Sequence, residues 1–194
     1  VYCGSGHRST MALAILGSYG YTNVTSLKGG FGGWAEAGYP VVGGTMAAGG
    51  ESVADLPINM NFQTMLTNME AYNTIKAEGL MEELISDTPP FLLDVRTTPE
   101  VEENGHITDA AHMPLENLTA VLNMIPDFDT PVVVYCGSGW RATIAMTSLH
   151  GMGYTNVRAL KTSFADWVAA GNPVTPGLPG PYPATAMAFP PELT

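Results

Sequence analysis

Positive charge, cysteine and long apolar runs are all scarce in this sequence. Only 7 Lys and Arg stand against 18 Asp and Glu among 194 residues, a formal net charge of −11. That balance argues against nucleic acid as a partner, because a polyanion would be repelled. No apolar run reaches the ~20 residues a bilayer-spanning helix needs, so no membrane partner is expected. Val1 already lies in a strand-like stretch, which does not read as the start of a signal peptide. Two cysteines are too few for a disulfide framework, and a chain of this length buries roughly 70% of its unfolded surface without one. With 13% charged and 45% hydrophobic residues, the composition suits a soluble globular protein of one or two modest domains. It leaves the compartment open.

The scarce residues are placed rather than scattered. Cys3 and Cys136 head the same segment, VYCGSGHR at the start and VYCGSGWR near the middle. A shift of 133 positions, from Cys3 to Cys136, also aligns GYTNV at 20–24 with GYTNV at 153–157 and Leu27-Lys28 with Leu160-Lys161. Phe31, Trp34, Gly38, Pro40 and Val41 then match Phe164, Trp167, Gly171, Pro173 and Val174. The chain contains a duplicated module. Of the cations, Arg8, Lys28, Arg96, Arg141 and Lys161 fall inside the motifs, leaving Lys76 and Arg158 elsewhere.

The duplication is uneven. FLLDVR at 91–96 and GHITDAAHMPL at 105–115 precede Cys136, whereas two residues precede Cys3. The expected organisation is the rear half of a first module at 1–42, a Gly-rich linker and helix at 43–74, a complete module at 75–175 and a Pro-rich tail at 176–194. A half-sheet exposes strand edges and apolar faces, so the chain is expected to be a fragment, or to be completed by a separate N-terminal half of the first module.

Within the complete copy, 91–95 is a continuous apolar run after Pro89-Pro90 and reads as a buried parallel strand. Val132 to Tyr135 reads as a second. After Cys136 a helix carries Ala142, Ala145, Met146 and Leu149 on one face and stops at Gly151 and Gly153. A strand near 156–160 and a short helix at 164–170 follow. Strands alternating with helices argue for an α/β layer fold with a parallel sheet. In the linker, the double glycines at 43–44 and 49–50 mark a loop or hinge. Phe62, Met65, Leu66 and Met69 share a helical face that reads as core packing. Gly79 is expected to interrupt that helix, with a second helix over 80–85.

The chemistry centres on the loop between strand and helix. Successive backbone N–H groups there form an anion-binding nest, aided by the helix dipole. A cysteine at its base is expected to have a depressed pKa and to act as a thiolate nucleophile. Gly137 and Gly139 permit the tight path, Ser138 adds a hydroxyl, and Arg141 brings a fixed positive charge to the rim. A Cys3–Cys136 disulfide is the other reading of the two thiols, but it requires both loops to come together. His106 and His112 read as hydrogen-bonded turn residues rather than metal ligands, since no cysteine or carboxylate cluster accompanies them. His150 suits a helix C-terminus, and Trp34 and Trp167 read as core.

The ordered set of C-x-x-G-x-R at 136–141, FLLDVR, GHI followed by DAAHMPL, and Leu-Lys then Phe-x-x-Trp resembles the rhodanese family of sulfurtransferases. The resemblance implies a five-stranded parallel sheet with helices on both faces. It also implies a persulfide on Cys136, formed from a donor such as thiosulfate and passed to cyanide, a thiol or a sulfur-accepting protein, with no cofactor. Gly137, Ser138, Gly139 and Trp140 are then the substrate-binding nest. Asp94 and Arg96 are supporting charges near the loop, read as orienting, and Cys3 with Arg8 forms a second, lower-ranked site because its front strand is missing.

Phosphatases on the same fold have one more residue between Cys and Arg, and the shorter cradle here suits one sulfur atom. With Trp140 at one rim, His7 at the other and Arg141 the only cation in its loop, the expected substrate is a bulkier, less charged sulfur compound packing on Trp140. The competing class is a non-enzymatic sulfur carrier or interaction module.

Overall fold

The computed structural model describes residues 1–43, 57–125 and 127–181. In chain order its elements are α1 (His7–Ser18), α2 (Gly30–Glu36), α3 (Pro57–Asn68), β1 (Thr74–Ile75), α4 (Ala77–Leu84), β2 (Phe91–Asp94), α5 (Thr98–Asn104), β3 (His106–Ile107), β4 (Ala111–His112), a 3-10 helix (Leu115–Asn123), β5 (Val132–Tyr135), α6 (Trp140–Gly151), β6 (Val157–Leu160), α7 (Phe164–Ala169) and β7 (Val174–Thr175). No helix among the described residues is long and apolar enough to cross a membrane.

Apolar residues on both faces put β5 at the centre of the sheet. It pairs in parallel with β2 on one side and β6 on the other, in a five-stranded parallel sheet ordered β1-β6-β5-β2-β4. Successive side chains point to opposite faces. Val132 and Val134 therefore join Leu93, Met146, Leu149, Phe62 and Met65 in one core, while Val133 and Tyr135 join Leu92, Leu80, Leu160, Phe164 and Trp167 in the other. Helices α3 and α6 cover the first face, α4 and α7 the second. The short β3 and β7 pair antiparallel beside this sheet.

The duplication is structural as well as sequential. Helices α1 and α6 each have 12 residues and start at equivalent positions, after Gly6 and Gly139 in left-handed conformations. The indole N–H of Trp34 donates to Pro40 O at 3.0 Å, and that of Trp167 to Pro173 O at 3.1 Å. Burial separates the two copies. Trp167 is 0% exposed and Trp34 39%; Tyr135 is 0% exposed and its counterpart Tyr2 64%. Trp34 is thus not core, because the strands and helices that cover Trp167 have no counterpart over Trp34 among the described residues. Val1 and Tyr2 form no strand of the sheet; Leu27 N–H donates to Val1 O at 3.0 Å, and the Val1 amino group to Thr25 O at 2.8 Å. The first copy still joins the second, as α1 packs on α6 and buries Met11 in the first core.

Three local expectations change. Gly79 lies inside α4, where buried Leu80 anchors the helix strongly enough to outweigh glycine's penalty of about 1 kcal/mol. The real break comes earlier, at Ala71, Tyr72 and Asn73, all with positive φ (45, 58 and 50°). Leu66 turns to solvent although Phe62 and Met65 of the same helix are buried. His150 is buried, with Nε2 within 3.1 Å of both Asn73 Nδ2 and Val157 O, and burial pushes its pKa down. It is a neutral core histidine rather than a helix-end cation. The linker glycines at 44, 49 and 50 and the tail from 182 onward lie outside the described residues.

Candidate active site

Buried β5 carries Cys136, itself 1% exposed, to the point where α6 begins. Gly139, at φ 89°, turns the chain so that its N–H donates to Cys136 Sγ at 3.1 Å, and Ala142 N–H follows at 3.4 Å. Two amides thus converge on the sulfur from the helix N-terminus, where backbone donors are otherwise unpaired. Gly137 passes close beside Arg141, since a Cβ on it would lie 3.2 Å from Nη2. Ser138 is exposed at the loop's tip.

Arg141 does not stand free at the rim. Its Nη1 and Nη2 donate to Glu100 Oε2 and Oε1 at 2.5 and 2.7 Å. Glu100 is also the third residue of α5 and completes a capping box with Thr97. The Arg141 guanidinium and the Thr97 donors hold the Glu100 carboxyl down at about 2 despite partial burial, and Glu100 raises Arg141 in turn. Glu100 was absent from the residues the sequence singled out. T-x-x-E at 97–100 is legible as a capping box, but nothing in that pattern shows which cation the carboxylate meets.

Asp94 and Arg96 do not reach the loop. They are 0% and 2% exposed and face each other, with Arg96 Nη2 donating to Asp94 Oδ2 and to Gly105 O at 2.6 Å each. The Arg96 guanidinium lies 3.7 Å from the Phe164 ring centroid. Side chains so enclosed act as a clamp between β2 and the second core, a structural role in keeping with their reading as orienting charges. His106 and His112 are hydrogen-bonded as expected, to Gly177 O and Arg96 O at 2.8 Å each.

The first loop forms although no strand pairs beside it among the described residues. Gly6 N–H donates to Cys3 Sγ at 3.1 Å, and Phe31 N–H to Cys3 O at 2.7 Å. Gly30, at φ 59°, allows this approach, because a Cβ there would come 2.4 Å from Cys3 O. Burial pushes the Cys3 thiol up, but hydrogen bonds from Ser9 (backbone and hydroxyl) and from the Gly6 and Ser5 backbones outweigh it and bring the thiol down to about 6. Cys3 is half-buried and Cys136 fully so; both are free thiols.

The two loops meet, which overturns the objection that a disulfide would have to bring them together, yet no disulfide forms. Trp140 lays its ring on Gly6, where a Cβ would come 2.1 Å from Cη2. In the reverse direction His7, the residue equivalent to Trp140, places Nδ1 3.0 Å from Thr143 Oγ1 of α6. Between them lies a cavity of about 380 Å³ beyond the C-terminal ends of β5 and β6 and beside the start of β1, bordered by Arg8, Tyr72, Ser138, Trp140 and Lys161.

Residues 1–37 and 77–170 match the model of the rhodanese-like domain. A protein named sulfurtransferase from Allochromatium vinosum is 33% identical over 102 residues, covering 53% of this chain and 94% of its own length. The thiosulfate sulfurtransferase YnjE of Escherichia coli is 26% identical over 187 residues, 84% of this chain and 42% of the relative. Among solved structures, the solution NMR structure of the rhodanese-like domain of the Anabaena sp. Alr3790 protein matches with a TM-score of 0.50 and 28% identity, over 63% of this chain and 91% of that one.

Proposed function

The chain belongs to the rhodanese-like domain family, and from that membership we propose that it moves sulfane sulfur through a persulfide on Cys136. Relatives named sulfurtransferase support a rhodanese-type transferase in general; donor, acceptor and covalent intermediate are our reading. The observation that carries it is the pair of amides donated to Cys136 Sγ from the start of α6.

In the first step the Cys136 thiolate attacks the outer sulfur of a donor such as thiosulfate. The donor's S–S bond breaks and sulfite leaves with the electron pair. Loop amides directed at the site hold the negative charge that passes to the terminal sulfur. In the second step an acceptor thiolate or cyanide attacks that sulfur, and Cys136 leaves as thiolate. Arg141 is a positioning residue: paired with Glu100, it braces the loop against α5. The four residues between Cys136 and Arg141 favour a single sulfur over a tetrahedral phosphate.

The test is intact-mass measurement after incubation with thiosulfate, alongside steady-state turnover to a thiol. A gain of about 32 Da, one sulfur atom, is expected in the unaltered protein and in Cys3→Ser, and not in Cys136→Ser. An adduct retained in Cys136→Ser and lost in Cys3→Ser would move the reaction to the first loop. A stoichiometric adduct without turnover would make the protein a sulfur carrier.

A further inference from the structure

Among the described residues, three of the seven cations are in ion pairs: Arg96 with Asp94, Arg141 with Glu100 and Arg158 with Glu83. Four carry no acid partner there, and two of those four, Arg8 and Lys161, border the cavity between the loops. No Asp or Glu is among the described residues that line it. In a chain of net charge −11, two cations without an acid partner among the described residues, bordering one cavity, favour an anion there.

Its walls narrow the ligand. Tyr72 sits in the run of three positive-φ residues, a strained path for non-glycine residues. Its ring lies 5.6 Å from the Arg8 guanidinium and edge-on to His7. Burial first, and nearby Lys161 as well, push the His7 pKa down, so His7 lines the site as a neutral ring. Trp140 forms the opposite wall. At about 380 Å³ the cavity holds roughly a dozen waters at ~30 Å³ each, far more than one small oxyanion displaces. It lies at the C-terminal ends of parallel strands, where open α/β sheets take their ligands. The cationic lining favours a charged ligand in this cavity, because Arg141 is occupied by Glu100 while Arg8 and Lys161 arrive from other parts of the chain.

We propose that this cavity binds the carboxylates of an organic thiol through Arg8 and Lys161, with Tyr72 and Trp140 flanking its body. The role of that thiol, as sulfur acceptor or in persulfide form as donor, rests on the sulfurtransferase reading; the binding does not. As acceptor, its thiolate attacks the terminal sulfur of the Cys136 persulfide, the S–S bond breaks, and the electron pair returns to Cys136 Sγ.

The experiment is calorimetric titration with S-methylglutathione, which carries two carboxylates and a blocked sulfur, so binding is read without transfer. Binding to the unaltered protein is expected to weaken about tenfold in Arg8→Gln and in Lys161→Gln, to weaken with added salt, and to stay within twofold in Lys28→Gln and Lys76→Gln. No binding to the unaltered protein, equal affinities for all variants, or equally tight binding of sulfate would overturn the proposal. In parallel, the KM for glutathione relative to 2-mercaptoethanol should rise about tenfold in the two cavity variants. Binding lost in those variants from a protein that transfers no sulfur would leave this site standing and sink the sulfurtransferase reading. Transfer without binding would do the reverse.

Discussion

Replacing Gly6 by alanine tests the contact between the two loops, and the chain contains its own control. Gly6 and Gly139 are repeat equivalents, both at positive φ (106 and 89°) before a helix. A side chain in that region costs about 1–2 kcal/mol for either residue. Beyond the backbone the two differ: a Cβ on Gly139 meets nothing within 4 Å, whereas one on Gly6 falls 2.1 Å from Trp140 Cη2. Displacing a packed ring adds about 1–3 kcal/mol. Gly6→Ala should therefore destabilise by about 2–5 kcal/mol and Gly139→Ala by about 1–2. Urea unfolding followed by circular dichroism reads the difference, which at a slope of about 1–3 kcal/mol/M separates the two midpoints by about 1 M. In a Trp140→Ala background the excess at Gly6 should vanish, because the cycle removes the atom it strikes. Equal midpoints for the two glycine variants, or an excess that survives Trp140→Ala, would show that Trp140 does not rest on the first loop.

Two further outcomes follow from the ionisable groups. Glu100 has its folded pKa lowered to about 2 from an ordinary 4.5, so the stability it contributes is present above about 4.5 and is lost as pH falls toward 2. Both partners are about a third exposed, which limits the pair to about 0.2–1 kcal/mol. Glu100→Gln should lower the unfolding free energy at pH 7, read from urea denaturation, by that amount and lower it less at pH 2, and a variant that is equally destabilised at both would refute the pairing. Cys3, with its thiol near 6, should be alkylated by iodoacetamide in the Cys136→Ser protein with an apparent midpoint near pH 6. A midpoint near the ordinary 8.5 would mean that the Gly6 and Ser9 contacts do not stabilise its thiolate.

Much of the frame was legible because it is local. Val132–Tyr135 is β5 residue for residue, the helix after Cys136 ends at Gly151, and α7 lies within the stretch read as a short helix. Apolar runs, glycine stops and the repeat carry that information along the chain. Where the reading strayed, a distant segment decided. Trp34 and Trp167 share spacing and the same indole hydrogen bond, yet only Trp167 is covered. His150 stands in the last turn of α6, where exposure would favour its cation, but Asn73 and Val157 enclose it.

The candidate site divides in the same way. By itself the sequence determined the duplicated module, the parallel α/β plan and the Cys136 loop, because strand, glycines and helix start occupy eleven consecutive residues. Only the tertiary structure decided what surrounds that loop. Arg141 meets Glu100 from 41 positions away, Asp94 and Arg96 close on each other under the sheet, and Trp140 seats on Gly6 of the other copy. Packing of α1 on α6 then brings Arg8 and Lys161 to one cavity. Local pattern sets which backbone groups turn toward a sulfur atom; partners far apart in the chain are chosen by packing, and packing set the charge around it.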